Sequence, residues 1–146
     1  MLKPVSDPAR EQIIRTMIEL TRPSSLHRIA VAGSESAEID LELRRRGYFR
    51  VATTLTCVPR AQYSIGLVVG QHSLHALETA LTQISHFLSA NATIAVVIDS
   101  CEKGLGLKVR DRLEQLGFRI QAGVKCHRQF VLAAHRHGFS HMAKAA

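Results

Sequence analysis

Tryptophan is absent from these 146 residues, and aromatic side chains make up only 5% of them. With two tyrosines and five phenylalanines, no basic-aromatic interleaving suggests a stacking platform for nucleic-acid bases. Cysteine is scarce as well. Cys57, Cys101 and Cys126 are odd in number, widely spaced and without a CxxC pair. That excludes a zinc-finger spacing, argues against a disulfide framework and fits a reduced, cytoplasmic chain. No run approaches the ~20 apolar residues of a membrane span. The opening MLKPVSDPAREQ lacks the apolar core of a secretory signal. Acid is the other shortage. From Val51 to Ile98 the charged residues are Arg60 and Glu78, and no acid follows Glu114.

What is present sets the class. Hydrophobic residues make up 46% and charged residues 21% of a length suited to one domain with a real core. The net charge of +7 collects toward the C-terminus, where Arg119, Lys125, Arg128, Arg136 and Lys144 stand with four histidines. Such an end is either a solvated basic surface or a site for nucleic acid or an acidic protein. If 118–126 and 129–136 form a hairpin, period-two alternation puts Arg119 and Lys125 on one strand face, with His127 and Arg128 at the turn.

Periodicity predicts the elements. Asp7 as N-cap and Pro8 at the first helical position start a helix that Pro23 ends. Its apolar residues Ile13, Ile14, Met17, Ile18 and Leu20 are expected to pack on the main body. RIAVAG reads as a buried strand ending at Gly33. Ser34 or Ser36 can cap the next helix, which carries acids first, Arg44, Arg45 and Arg46 last, and then Gly47. YFRVATTL and YSIGLVVG follow as strands. From His72 to Leu88 a stripe of Leu74, Leu77, Leu81, Ile84 and Leu88 marks a helix. ATIAVVID, a helix from Leu105 to Leu116 ended by Gly117, and the pair FRIQAGVKC and QFVLAAHR complete the order α, β, α, β, β, α, β, α, β, β. The expected fold class is α/β: a three-layer Rossmann-like domain with a mainly parallel sheet and a C-terminal antiparallel hairpin. Residues 1–24 supply an N-terminal helix packed on the core, 25–136 the Rossmann domain, and 137–146 a basic, histidine-bearing tail.

From Arg28 to Arg136 this pattern resembles a short class I S-adenosylmethionine-dependent methyltransferase. The resemblance is carried by YSIGLVVGQHSLHALETALTQISHFLSANATIAVVIDS and by the closing LEQLGFRIQAGVKCHRQFVLAAHR. It implies S-adenosylmethionine as cofactor, bound beyond the strand ends by Gly33, Ser34, Glu35, Thr54, Gly70 and Gln71. The departures lie on those positions. Where the family has a Gly-rich first turn, this chain has Gly33, Ser34, Glu35, Ser36 and Ala37. Where the family has an acid for the ribose hydroxyls, Thr53 and Thr54 stand, without a carboxylate's charge-assisted pair. The segment LTCVPRAQ is too short for the helix and strand that a full enzyme places there.

At the strand ends His72 and Asp99 are candidate catalytic residues, as an acid–base pair beside Ser34. Ser34, Ser100 and Asp99 can equally serve as helix caps. Cys101 follows a strand at a helix start, where a thiol gains reactivity, or is a small core residue. His75 and His86 are three helical turns apart and cannot share an ion, so no metal is expected. The leading expectation is a degenerate member, a non-catalytic binding or regulatory protein that acts as a homo-oligomer or with a protein partner and without cofactor. The alternatives are an active small methyltransferase completed by oligomerisation, and a basic adaptor for nucleic acid or an acidic protein.

Overall fold

A leucine stripe at three- and four-residue steps needs a flat apolar partner, and the chain supplies one. In the computed structural model, which describes residues 8–24, 26–54, 62–70, 73–99, 104–126 and 129–136, six strands form a single sheet. The order along the chain is α1 (Pro8–Thr21), β1 (Ile29–Ala32), α2 (Ser36–Arg45), β2 (Val51–Thr53), β3 (Tyr63–Val68), α3 (Leu74–Ser85), β4 (Leu88–Asp99), α4 (Leu105–Gln115), β5 (Phe118–Cys126) and β6 (Gln129–Arg136). The strands lie side by side as β2-β1-β3-β4-β6-β5. The first four are parallel, and β6 enters antiparallel to both β4 and β5. This is the expected three-layer Rossmann-like α/β domain with its closing hairpin. β2 is an edge, and no strand lies beyond it among the described residues.

Each sheet face has its own core. Ile29, Val31, Val51, Ile65, Leu67, Ala95, Val97 and Val131 pack under α1 and α2. Ala30, Ala32, Val68, Ile94, Val96, Ile98, Leu132 and Ala134 pack under α3 and α4. The strands are therefore apolar on both faces, as a covered parallel sheet requires. In α3 the stripe is buried as expected, with Leu77, Leu81 and Ile84 essentially inaccessible. Burial of each is worth about 1.5–3 kcal/mol. The helix itself is shorter than the sequence predicts. Ser73 caps it by accepting from the Ala76 amide at 3.1 Å, and it ends at Ser85. His75 and His86 are exposed on its outer side, as expected.

Helix α1 belongs to the core. Met17 is fully buried, Ile13 and Ile14 are buried, and Ile18 and Leu20 pack against the same cluster. This is the packing on the main body that their spacing predicts. The three arginines after Leu43 tie down the end of α2. Arg44 pairs with Asp40 at 2.7 Å, Arg45 with Glu42 at 3.6 Å, and Arg46 with Glu42 at 3.0 Å and Glu11 at 3.3 Å. Gly47 follows at φ +97. Strand β2 is shorter than expected because Tyr48 closes the helix instead, donating its amide to the Leu43 carbonyl at 3.0 Å. Phe49, next in line, is 66% exposed.

At the other end of the sheet Arg136 is structural. Its guanidinium stacks 4.6 Å over the Phe118 ring and donates to the carbonyls of Ser85, Leu88 and Ser89 at 3.2, 2.9 and 3.5 Å. It thus caps the C-terminus of α3 with a cation, the sign that a helix end favours. Burial pushes its pKa down from the ordinary arginine value. Arg119 and Lys125 also depart from expectation. Arg119 pairs with His135 and Lys125 with Phe130, and a register shift between Ile120 and Ala122 separates them. His135 and Phe130 are an odd number of residues apart, so they sit on opposite faces of β6, and their partners do likewise. One extra residue in β5 has split the two cations between the two sides of the sheet. His127 and Arg128 lie outside the described residues.

Candidate functional site

In an open parallel sheet the ligand crevice opens where the strand order reverses, beyond the carboxyl ends of the strands. Here that point lies between β1, which continues to β2 on one side, and β3 on the other. Ser34 and Gly70, 36 residues apart, meet there. Gly33 ends β1 at φ +113, and Gly70 follows β3 at φ +89.

The room left by these two missing side chains is used by the protein itself. A Cβ built on Gly33 would overlap the Val69 carbonyl oxygen and stand 2.8 Å from its carbonyl carbon. One built on Gly70 would stand 2.6 Å from Ser34 Oγ and 2.9 Å from the Glu35 amide nitrogen. The turn Gly33–Glu35 therefore sits directly on the end of β3. Hydrogen bonds hold it. The Val69 amide donates to the Ala32 carbonyl at 3.0 Å, and the Ser34 hydroxyl donates to the Gly70 carbonyl. The Ser36 amide donates to the Gly33 carbonyl at 3.2 Å.

Helix α2 starts without either serine as its cap. Glu35 occupies the N-cap position and makes no side-chain cap bond. Ser34 is turned to Gly70, and Ser36 is buried as the first helical residue. This corrects the expected capping roles. The Glu35 carboxylate is taken by Arg10 of α1 at 2.8 Å, with both side chains about one third exposed. A sequence offers little signal for this pair, since its members lie 25 residues apart on different elements.

Of the candidate binding residues, Gly33, Ser34, Glu35 and Gly70 thus come together. Thr54 lies beside them at the carboxyl end of β2, where its amide donates to the Val31 carbonyl at 3.0 Å. Asp99 is the last residue of β4, opposite Gln129 of β6. Gln71 and His72, like Ser100 and Cys101, lie outside the described residues. Among the described residues no three His, Cys, Asp or Glu side chains group as metal ligands.

A second concavity lies on the outer seam between α3 and α4. It measures about 250 Å³ and is lined by His75, Glu78, Thr79, Thr82, Gln83 and Arg112. Arg112 spans the seam, donating to Thr82 Oγ1 and Gln115 Oε1 at 3.2 Å each, while its Nε is buried without an acceptor. The groove belongs to the helix layer and not to the strand ends where the candidate residues gather. No described helix is long and apolar enough to cross a membrane.

No protein-family model matches the sequence, and no curated protein matches it. Solved structures do match its fold. The [4+2]-cyclase SpnF superimposes with a TM-score of 0.64 at 13% identity, over 88% of this chain and 81% of that one. A SAM-dependent methyltransferase from Aquifex aeolicus gives 0.59 at 12% identity, over 88% and 93%. The 1,6-didemethyltoxoflavin-N1-methyltransferase of Burkholderia thailandensis, solved with bound S-adenosylhomocysteine, gives 0.53 at 12% identity, over 94% and 93%. The fold is that of class I S-adenosylmethionine-dependent methyltransferases. A cyclase among these neighbours illustrates that the fold does not dictate the chemistry.

Proposed function

We propose that this chain is a methyltransferase-fold domain whose cofactor crevice is filled by its own first turn, and that it works by binding a protein partner instead of transferring a methyl group. The observation that carries this reading is the seating of Gly33–Glu35 on Val69 and Gly70. The glycines of such a turn leave space for tight turning and for the close approach of a neighbour, backbone or ligand. Here backbone atoms occupy that space. The acceptors that face it are engaged as well, the Gly70 carbonyl by Ser34 and the Glu35 carboxylate by Arg10.

The described residues do not fit S-adenosylmethionine. Besides the filled turn, Thr53 and Thr54 stand where the fold family carries a ribose-binding acid, and a threonine hydroxyl lacks a carboxylate's charge-assisted bonds. In this reading no methyl group is transferred, and His72 and Asp99 have no catalytic role. The buried free thiol of Cys126 suits a reducing compartment such as the cytoplasm.

The test is thermal denaturation with S-adenosylmethionine and S-adenosylhomocysteine at millimolar concentration. A ligand at a hundred times its dissociation constant stabilises the fold by ~2.7 kcal/mol. The expected result is no shift. A saturable shift that Thr54→Trp abolishes would overturn the reading. If that shift appeared only in an oligomeric fraction, the chain would be an enzyme completed by its own copies.

A further inference from the structure

The two edges of the sheet are treated differently. In β2 the Arg50 carbonyl and the Thr54 amide bond to β1, so the intervening Val51 carbonyl points outward. Arg44 covers it, donating from Nη2 at 3.0 Å while Asp40 holds its Nε at 2.7 Å. A three-residue strand with its outward acceptor occupied is a poor template for another strand. The β5 edge has neither safeguard. It runs nine residues, about 30 Å of extended backbone, and among the described residues borders only β6. Among the described residues no side chain bonds to its backbone. Arg119, Gln121, Gly123, Val124 and Lys125 are exposed along it.

We propose that the β5 edge receives an extended acidic segment of a partner protein as a seventh strand. This rests on the reading of the chain as a binding domain and supplies the chemistry of its partner. Strand addition draws affinity from backbone hydrogen bonds and specificity from alternate side chains. Here the specifying groups are Arg119 and Lys125, neither of which is in an ion pair among the described residues. The bulge puts them on opposite sheet faces, so the incoming strand must present one acid to each face. On β6 their partners His135 and Phe130 are five residues apart, and acids at that spacing on the new strand meet both cations. A second copy of this chain is the wrong occupant. Pairing two β5 strands brings four cations onto one seam, and like charges across strands are destabilising.

The experiment uses the full chain, ¹⁵N-labelled, and two eight-residue peptides, TEVTVTET and TKVTVTKT. The first has acids five apart, and the second replaces them with lysine. The expected outcome is shifts of the β5 amides with the acidic peptide and at least tenfold weaker binding of the basic one. In Arg119→Glu/Lys125→Glu that preference reverses, and in Arg119→Gln/Lys125→Gln it disappears. Equal binding of both peptides, shifts outside β5, or no binding overturns the proposal. So does hydrogen exchange that finds the outward β5 amides already protected in the free protein, because its own chain or a second copy then occupies the edge. Failure here leaves the crevice reading intact, since that reading is tested by ligand and not by peptide.

Discussion

Gly33→Ala isolates the contact on which the proposal of a filled crevice rests, because the protein carries its own control. Gly33, Gly47 and Gly117 share positive φ values of +113, +97 and +93. A methyl group at Gly47 or Gly117 meets nothing within 4 Å, whereas one at Gly33 collides with the Val69 carbonyl. Left-handed backbone costs an alanine about 1–2 kcal/mol wherever it occurs. Forcing a methyl into a filled site adds about 1–3 kcal/mol. Gly117→Ala and Gly47→Ala should therefore lose about 1–2 kcal/mol, and Gly33→Ala about 2–5 kcal/mol. The lower figures are well within the 5–15 kcal/mol that a domain has to lose, so the variants can be compared as folded proteins. Urea unfolding with linear extrapolation reads the difference directly, provided the slopes agree. If Gly33→Ala costs no more than Gly117→Ala, the turn does not rest on β3. The space beside Gly33 is then open to a ligand, and the reasoning for a filled crevice fails.

Arg136→Ala removes three carbonyl contacts and a ring contact from a half-buried site and should cost about 2–3 kcal/mol by thermal unfolding. Arg136→Lys restores only part of this, because an ammonium lacks the planar fork. Arg44→Ala uncovers the Val51 carbonyl and loses the Asp40 pair. It should cost about 1 kcal/mol and raise self-association in sedimentation velocity. Unchanged association would mean that β2 is too short to recruit a strand even when open.

How far the sequence reaches depends on the range of each interaction. The stripe Leu77, Leu81, Ile84 is local, and it located α3 together with the face it buries. The hairpin strands 118–126 and 129–136 were legible to the residue, the second as a largely apolar run and the first from the helix-ending Gly117 before it. β4 begins earlier than the apolar run suggests. Leu88 pairs with Tyr63 through an irregular step, and the polar residues Ser89 and Asn91 carry the strand without apolar alternation. Tyr48 and Phe49 looked like strand residues, yet the end of α2 claims Tyr48 through a backbone bond that side-chain type does not encode. The bulge beside Gln121 is likewise silent, and it alone moves Lys125 away from Arg119. The candidate site was half legible. Gly33, Ser34, Glu35 and Gly70 were grouped by the rule that ligands bind at strand ends. That Ser34 spends its hydroxyl on Gly70, and Glu35 its carboxylate on Arg10, follows only from how distant segments dock.

The position of β6 between β4 and β5 has a consequence for the order of synthesis. After β1, each strand up to β4 finds a neighbour already made when it leaves the ribosome. β5 does not, because its only neighbour among the described strands is β6, which follows it. Until the chain has grown to Arg136, the apolar edge of β4 from Ile94 to Ile98 stays unpaired, and α3 lacks the cation that closes its end. At about 5–20 residues per second this interval lasts a few seconds. During it the β4 edge is open, so a premature stop before residue 129 would release a fragment with an unpaired central strand edge. Such fragments, more than point variants of the finished protein, are the species that chaperones and proteases would have to clear.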